Sequence, residues 1–438
     1  MNLIHGKIVV SQQQRDIALE HLEESIMRTL QQNKPLTEAV LNACDELSRA
    51  VGDKHIALLE SIGISCEKAK EYVSQAKTLL RKESLFARMK MELGDKFSFQ
   101  TPYAVKENGI VIQERIMPLG TLFHIAAGNQ YGLAFYSVIE GLLTGNINIV
   151  KLPSGDDGLS AMVLSELIKI EPLLNEYIYL FDYTSKDIDA LQKMMNLANA
   201  VVVWGGDQAI QAVRQMAGPD TKIIEWGHRL SFAYVTPSGM QDELLTGLAH
   251  NIVQTNQLLC SSCQGIYIDT VSMEEVYRFC EKFFPILEQY AQTYGEEPLL
   301  EIQAQTGLQV YTERLQPNSR PCRVFQGRRT SLLAYEDSRL RTSILYGNVW
   351  IKRLPRENLL HILRTNKGYL QTAALLCEEQ ERDMLTDLLW NAGVMRVTQG
   401  KNMSHMYSGA AHDGEYTLRR YTRVVSQEFI EEPNARNV

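Results

Sequence analysis

The sequence predicts an α/β fold built on parallel sheets. From Pro118 onward, short apolar runs alternate with helix-length segments, a pattern typical of parallel βαβ units. With 438 residues the chain is long enough for two or three domains of roughly 150 residues, and 45% hydrophobic residues can fill their cores. The candidate strands are Leu119–Ala126, Ile147–Leu152, Ile178–Phe181, Ala200–Trp204, Lys222–Glu225 and Phe232–Val235.

Composition makes several classes of protein poor interpretations. The 44 Lys and Arg residues against 52 Asp and Glu give a net charge of −8, and nucleic acids and anionic membranes attract basic surfaces, so neither is an expected partner. No run of about 18 uncharged apolar residues predicts a membrane span, and no signal peptide is expected in the first twenty residues. Seven scattered cysteines favour a reducing, cytoplasmic setting over a disulfide framework.

The chain changes character along its length. Residues 1–95 are predicted to be helical, because apolar residues recur every three or four positions in Ile17–Met27 and Leu36–Leu47. Tyr103–Ile112 contains two β-prone runs joined at Asn108-Gly109, which predicts a hairpin. A second α/β stretch extends from about Cys260 to Val397, with strand edges at Gly368–Ala373 and Val394–Val397.

Two polar residues stand at the ends of predicted strands. Asn129 follows small residues at a carboxyl end, where α/β sheets place ligands, and its amide could donate to an oxyanion. The alternative for Asn129 is an ordinary turn residue. Lys151 ends a buried strand and would suit a ribose or phosphate, the alternative being a solvated cation.

A carboxylate and a thiol complete the candidate chemistry. Glu225 ends an apolar strand and is a candidate general base, or else a loop residue paired with Arg229 or Lys222. Cys260 precedes two serines and is expected to open a helix, whose N-terminus would favour a thiolate nucleophile. Cys260 and Cys263 also form a Cys-x-x-Cys pair, but no second Cys/His pair accompanies it, so no metal is expected.

In order and spacing, these clusters resemble the motifs of the aldehyde dehydrogenase superfamily over residues 100 to 425. The chain is most similar there to the fatty acyl-CoA reductases of bacterial bioluminescence, on Gln257–Ser262 and on the segment from Gly393 to Gly414. It departs from the superfamily in lacking a clear Glu-Glu-x-Phe-Gly-Pro motif, which anchors the nicotinamide ribose. The matching segments are Pro118–Gly120, Asn129, Gly145-Asn146 with Lys151, Trp204–Gly206, Glu225–Gly227 and Gln257–Cys260.

The resemblance implies a domain organisation. Residues 1–95 would be a helical segment packed on a Rossmann-type nucleotide-binding domain at 96–254. An α/β catalytic domain would follow at 255–412, then a C-terminal tail at 413–438. The hairpin, near 101–117, would reach a neighbouring subunit, so a homo-oligomer is expected.

The resemblance also implies an activity. Cys260 would attack an acyl-CoA, preferably long-chain, with Asn129 and the Cys260 backbone N–H holding the oxyanion. NADPH, in preference to NADH, would bind near Lys151, Gly205, Gly206 and Gly227 and reduce the acyl-enzyme to an aldehyde. Glu225 would activate water in the hydrolytic direction.

Alternatives remain open for the activity. One is a related reductase of a short semialdehyde or an acyl phosphate. Another is an acyl-relay subunit that accepts an acyl group but transfers no hydride, which the missing ribose-anchoring motif would favour. An acyl-protein synthetase or acyltransferase is the expected partner if the acyl donor is another protein.

Overall fold

The chain divides into two compact units. The computed structural model describes residues 1–32, 36–94, 103–107, 110–126, 132–153, 156, 158–316, 321–405 and 407–430. The first unit comprises Met1–Gly227 with Tyr407–Val438, and the second comprises His228–Met406. Among the described helices, none is both long and apolar enough to cross a bilayer.

The strands and helices are numbered in chain order. The strands are β1 Asn2–Ile4, β2 Lys7–Val9, β3 Tyr103–Glu107, β4 Ile110–Pro118, β5 Thr121–Ile125, β6 Ile147–Lys151, β7 Ile178–Phe181, β8 Ala200–Trp204, β9 Lys222–Trp226, β10 Leu230–Val235, β11 Cys263–Ile268, β12 Arg323–Gln326, β13 Ser331–Tyr335, β14 Asn348–Arg353, β15 Leu370–Leu376, β16 Arg396–Thr398 and β17 Thr422–Ile430. The helices are α1 Gln12–Glu20, α2 Leu22–Gln32, α3 Thr37–Ala50, α4 Asp53–Ser61, α5 Cys66–Leu79, α6 Lys82–Leu93, α7 Leu133–Leu143, α8 Leu159–Ile170, α9 Ile188–Asn196, α10 Asp207–Met216, α11 Asp242–Thr255, α12 Met273–Tyr294, α13 Leu300–Leu315, α14 Arg356–Arg364, α15 Glu379–Ala392 and α16 Thr417–Arg420.

The main sheet of the first unit has the strand order β2-β1-β7-β6-β5-β8-β9. Strands β7, β6, β5, β8 and β9 are parallel, and their residues are largely buried because helices follow the strands. The chain moves to one side of β5 for β6 and β7 and to the other side for β8 and β9. This reversal is the point at which open α/β sheets bind ligands beyond the carboxyl ends of their strands.

The N-terminal segment is helical from α1 to α6, as predicted, but it begins with two strands that were not predicted. β1 is buried and pairs with β2 and with β7, the outermost of the parallel strands on that side, antiparallel to both. Each of these two strands has three residues, which is too short for a recognisable alternation of polar and apolar positions.

A separate three-stranded sheet has the order β17-β4-β3. The predicted pair of strands is confirmed, with Tyr103 opposite Glu114, whereas the Asn108-Gly109 turn lies outside the described residues. β17 comes from the expected C-terminal tail and pairs along the whole of β4, from Thr422 opposite Pro118 to Ile430 opposite Ile110. Part of the expected tail, Thr422–Ile430, therefore belongs to this three-stranded sheet.

The sheet of the second unit has the order β12-β13-β14-β11-β10-β15-β16. All its neighbouring strands are parallel except β12 and β13. β10 contains Phe232–Val235, which was expected to belong to the nucleotide-binding domain, yet it pairs with β11 and β15. The units therefore divide at 227 and 228 and not at the expected 254 and 255, because β10 and α11 pack in the second core.

Candidate active site

Cys260 lies in a turn between α11 and β11, with an exposed side chain. The expectation that it opens a helix is wrong, because α11 ends at Thr255 and the strand β11 begins at Cys263. Cys260 is therefore not at the N-terminus of a helix formed by its own chain segment, and stabilisation of a thiolate must come from groups on other segments.

Gln257 fixes the shape of this turn. Asn256 and Gln257 both adopt the left-handed conformation, with φ of 48° and 62°, so the chain reverses sharply after α11. The buried Gln257 side chain donates from Nε2 to the Cys263 carbonyl oxygen (2.9 Å) and accepts at Oε1 from the Gly347 N–H (3.0 Å). The glutamine of the Gln-x-x-Cys motif thus holds the loop that carries Cys260.

The two serines after Cys260 also hold the turn. Ser262 is buried, and its Oγ accepts a hydrogen bond from the Leu259 N–H (3.1 Å), whereas the Ser262 N–H donates to the Leu259 carbonyl oxygen (3.0 Å). Ser261 Oγ lies 3.2 Å from Ser404 Oγ. These contacts give the Ser-Ser pair a structural role in the loop.

Gln371 contacts the candidate nucleophile directly. The residue is 7% exposed, and its Nε2 donates to Cys260 Sγ at 3.3 Å. Ser231 Oγ donates to the Cys260 carbonyl oxygen (2.7 Å) and accepts from the Thr372 N–H (3.0 Å), so it ties the two chain segments together. The strand register shifts next to Ser231 on both sides of β10, an irregularity of the kind that redirects side chains near functional sites.

Neither Gln371 nor Ser231 was singled out from the sequence. A signal was present, because Gln371 and Thr372 interrupt the otherwise apolar strand β15. The contact of Gln371 with Cys260 joins positions far apart in the chain, and spacing alone does not reveal it.

Cys263 has a different environment from Cys260. It is fully buried, its Sγ donates to the Gly265 carbonyl oxygen (3.3 Å), and burial raises its pKa to about 12. A thiol with such a pKa is a poor nucleophile at neutral pH. Of the Cys-x-x-Cys pair, only Cys260 is exposed to an incoming reagent.

Lys151 and Glu225 lie in one row across the main sheet of the first unit. Lys151 is opposite Ile125, Ile125 is opposite Val203, and Val203 is opposite Glu225. Burial lowers the pKa of Lys151, and its ammonium has no hydrogen bond or ion pair with the described part of the chain. Three strand spacings separate Lys151 from Glu225, or about 14 Å, so they do not act on the same atom.

Gly205 and Gly206 join β8 to α10, on the side of the reversal opposite Lys151. Gly205 N–H donates to the Trp226 carbonyl oxygen (3.2 Å), and a Cβ on Gly205 would lie 3.0 Å from the Ala209 Cβ. Gly206 precedes the first turn of α10, and no atom of the described residues lies within 4 Å of a Cβ built on it. Backbone N–H groups at such a helix start are suited to phosphate.

Glu225 forms an ion pair that was not anticipated. Its Oε2 accepts from Arg214 Nη2 at 2.7 Å, and Arg214 Nε contacts Oε1, so α10 holds the carboxylate with both oxygens engaged. The partners that the sequence suggested for Glu225, Arg229 or Lys222, are wrong. Arg214 pairs with the carboxylate, and the Lys222 ammonium donates to the Arg420 carbonyl oxygen. Glu225 lies within β9, followed by Gly227 after the strand ends.

Aromatic rings cover the ends of β8 and β9. Trp204 and Trp226 stack with ring centroids 5.4 Å apart, and His412 lies 5.3 Å from Trp204 and 4.9 Å from Trp226. The Trp226 side chain is buried, and its Nε1–H has no acceptor among the described residues. Asn129, the remaining predicted site residue, lies outside the described part of the chain.

Comparison with known proteins supports an assignment to a family. The family model described as acyl-CoA reductase (LuxC) matches residues 32–424. The chain is 24% identical over 330 residues to long-chain acyl-protein thioester reductase 2 of Photobacterium leiognathi, and 23% identical over 326 residues to the long-chain acyl-protein thioester reductase of Aliivibrio fischeri. Each alignment covers 72% of this chain and 65% of the relative.

Solved structures show the same fold at low sequence identity. The glyceraldehyde-3-phosphate dehydrogenase GapN from Methanocaldococcus jannaschii, complexed with NADP, superposes with a TM-score of 0.71 and 14% identity. The match covers 97% of this chain and 96% of that chain. The chain therefore shares its fold, an α/β fold with parallel sheets, with solved aldehyde dehydrogenase structures. The chain belongs to the acyl-CoA reductase (LuxC) family.

Proposed function

We propose that this protein reduces a long-chain acyl thioester, with acyl-CoA as the donor, to the corresponding aldehyde. The observation that carries the proposal is the exposed Cys260 thiol with a side-chain amide donor, Gln371 Nε2, 3.3 Å from its sulfur. The family assignment and the relatives named acyl-protein thioester reductases support the substrate class. The expected acyl-protein synthetase or acyltransferase partner belongs to the same proposal.

The first half of the proposed reaction is transfer of the acyl group to Cys260. The thiolate attacks the thioester carbonyl carbon, and the carbonyl oxygen carries the negative charge of the tetrahedral intermediate. The Cys260 backbone N–H and the Asn129 amide would donate to that oxygen. Collapse breaks the carbon–sulfur bond to coenzyme A, which leaves as a thiolate, and the acyl group remains on Cys260 as a new thioester.

The first unit supplies groups that fit a nicotinamide dinucleotide. Lys151 is a half-buried cation with no partner in the described ranges, and Gly206 leaves room at the start of α10. Lys151 would hold the adenosine ribose and a 2′-phosphate, while Gly205, Gly206 and Gly227 would allow close approach to the backbone, so NADPH is proposed over NADH. When bound, it supplies the hydride that converts the acyl group to the aldehyde.

Several expectations remain part of this proposal. Glu225 would activate water only in the hydrolytic direction, and its bond to Arg214 must then open to release a carboxylate oxygen. The sheet of β3, β4 and β17 would mediate assembly into a homo-oligomer. The protein would act in the cytoplasm, without a metal ion.

The direct test is aldehyde formation by the purified full chain from acyl-CoA substrates of graded length, with NADPH or NADH. We expect aldehyde and stoichiometric NADPH consumption, greatest with long chains. A short semialdehyde and an acyl phosphate are assayed beside the acyl-CoA substrates, and preferred turnover of either would overturn the long-chain acyl thioester proposal and support the first alternative.

NADPH binding tests the reductase against the acyl-relay subunit. Titration monitored by NADPH fluorescence should show saturable binding to the wild type. The affinity of Lys151→Met for NADPH should be roughly tenfold lower, if the ammonium contributes about 1.4 kcal/mol to binding. NADH, which lacks the 2′-phosphate, is the matched control ligand, and the Lys151→Met substitution should lower the affinity for NADH less than the affinity for NADPH. Absence of binding of both NADPH and NADH to the wild type would contradict hydride transfer and support the relay.

A further inference from the structure

We propose that Gln371 is a positioning residue that keeps the Cys260 sulfur in its thiolate form through the Nε2–H hydrogen bond. This inference rests on the proposed role of Cys260 as the nucleophile. A side-chain amide has two N–H donors, and a hydrogen bond to a charged acceptor is stronger than one to a neutral acceptor. The contact therefore favours S⁻ over S–H.

The backbone around Gln371 is fixed on both sides. Its carbonyl oxygen accepts from the Met395 N–H (3.0 Å) of the neighbouring chain segment. The next residue, Thr372, donates its N–H to Ser231 Oγ, which in turn donates to the Cys260 carbonyl oxygen. The amide and the sulfur are consequently held by one connected set of hydrogen bonds, and little conformational freedom must be lost to form the contact.

Charged groups near Cys260 could also affect the protonation of its thiol. Residues 256–263 and strands β10, β15 and β16 contain no Asp or Glu, so a carboxylate on these segments does not oppose the thiolate. Arg396 donates to the carbonyl oxygens of Met403, Asn402 and His405. Besides the buried thiol of Cys263, the titratable and charged groups on these segments and beside them include His228, Arg229, Tyr234, Tyr369, Cys377, Arg396, Lys401 and His405.

The test is the pH dependence of Cys260 alkylation by iodoacetamide, followed at each cysteine by peptide mass spectrometry. Gln371→Met keeps the length of an unbranched side chain but removes the donor, and leaves the surrounding charges in place. We expect the pH midpoint for Cys260 to rise by about one unit in this variant, since a shift of that size corresponds to one hydrogen bond to a charged group. Gln371→Glu should raise it further, because a carboxylate repels a thiolate.

Cys66 and Cys322 are exposed thiols in the same molecule and serve as internal controls whose midpoints should not move. Circular dichroism and thermal unfolding establish whether each variant is folded. Because two different replacements of Gln371 are compared, the test still gives a result if one of the two variants misfolds. An unchanged Cys260 midpoint in a folded Gln371→Met protein would overturn the proposal. Alkylation requires neither acyl donor nor cofactor, so this outcome is separate from failure of the reductase proposal.

Discussion

At the scale of single residues, the structure gives the two thiols of the Cys-x-x-Cys pair different environments. Cys260 and Cys263 look equivalent in the Cys-x-x-Cys pair, yet burial raises the pKa of Cys263 to about 12 while the Cys260 side chain is exposed. Gln257 belongs to the motif because it holds the turn, through Cys263 and Gly347, and not because it touches the sulfur in this structure. The motif therefore encodes the geometry of the loop that carries the proposed nucleophile.

His124 is the residue with the clearest consequence for pH dependence. It is fully buried in β5, its Nε2–H donates to Asn148 Oδ1 (3.0 Å), and its Nδ1 accepts from Ser137 Oγ (2.7 Å). Burial lowers its pKa from 6.5 to about 4. Since the unfolded chain binds the proton more tightly than the folded protein, stability is complete above pH 6.5 and is lost as pH falls from 6.5 toward 4.

We predict that His124 accounts for a loss of about 2 kcal/mol in the free energy of unfolding between pH 7 and pH 5. Chemical denaturation of the wild type and of His124→Gln at both pH values measures this contribution. Between pH 7 and pH 5, the free energy of unfolding of the variant should fall by about 2 kcal/mol less than that of the wild type. Equal losses in the two proteins would show that His124 does not carry the pH dependence.

At the scale of elements, the strand β11 depends on one glycine for its packing. Gly265 lies opposite Trp350 in β14, and a Cβ at Gly265 would stand 1.9 Å from Cδ2 of the indole. The tryptophan ring therefore occupies the space of the missing side chain. Gly307, within α13, has no atom of the described chain within 4 Å of a Cβ built there.

We predict opposite effects for alanine at these two glycines. Gly265→Ala should destabilise the protein by about 2 kcal/mol or more because the ring must move. Gly307→Ala should stabilise it by about 0.5–1 kcal/mol, since alanine restricts the unfolded chain and favours the helix. Urea unfolding of the two variants measures both effects, and a neutral Gly265→Ala would contradict the packing of β11 on Trp350.

The sequence predicts the positions of the strands better than it predicts which strands pair with one another. The runs that form β5 to β8 and β10 are recognisable because parallel strands buried on both faces are largely apolar, whereas the edge strand β9 is recognisable from Ile223 and Ile224. The sheet to which β10 belongs could not be recognised from the sequence. Phe232–Val235 carries no signal that it pairs with β11 and β15 in the second unit. Gln371 was missed for the same reason, because its contact with Cys260 depends on pairing between distant strands.

At the scale of the whole molecule, the two units carry different parts of the proposed chemistry. The first unit holds Lys151, Gly205 and Gly206 at the carboxyl ends of its strands. The second unit holds Cys260 near the amino ends of β10, β11 and β15, fixed by Ser231 and Gln371. The family resemblance predicts this division of roles, which stays a prediction. The boundary between the units, at 227 and 228, could be located only from the pairing of the strands.

The central claim is that Cys260 accepts the acyl group. Intact-mass spectrometry of the full chain incubated with a long-chain acyl-CoA, without reductant, tests it most directly, with peptide mapping to place the adduct. We predict one acyl group on Cys260 in the wild type and in Cys263→Ala, and none in Cys260→Ala. Acylation of Cys260→Ala to the same extent as the wild type would contradict the assignment of the nucleophile.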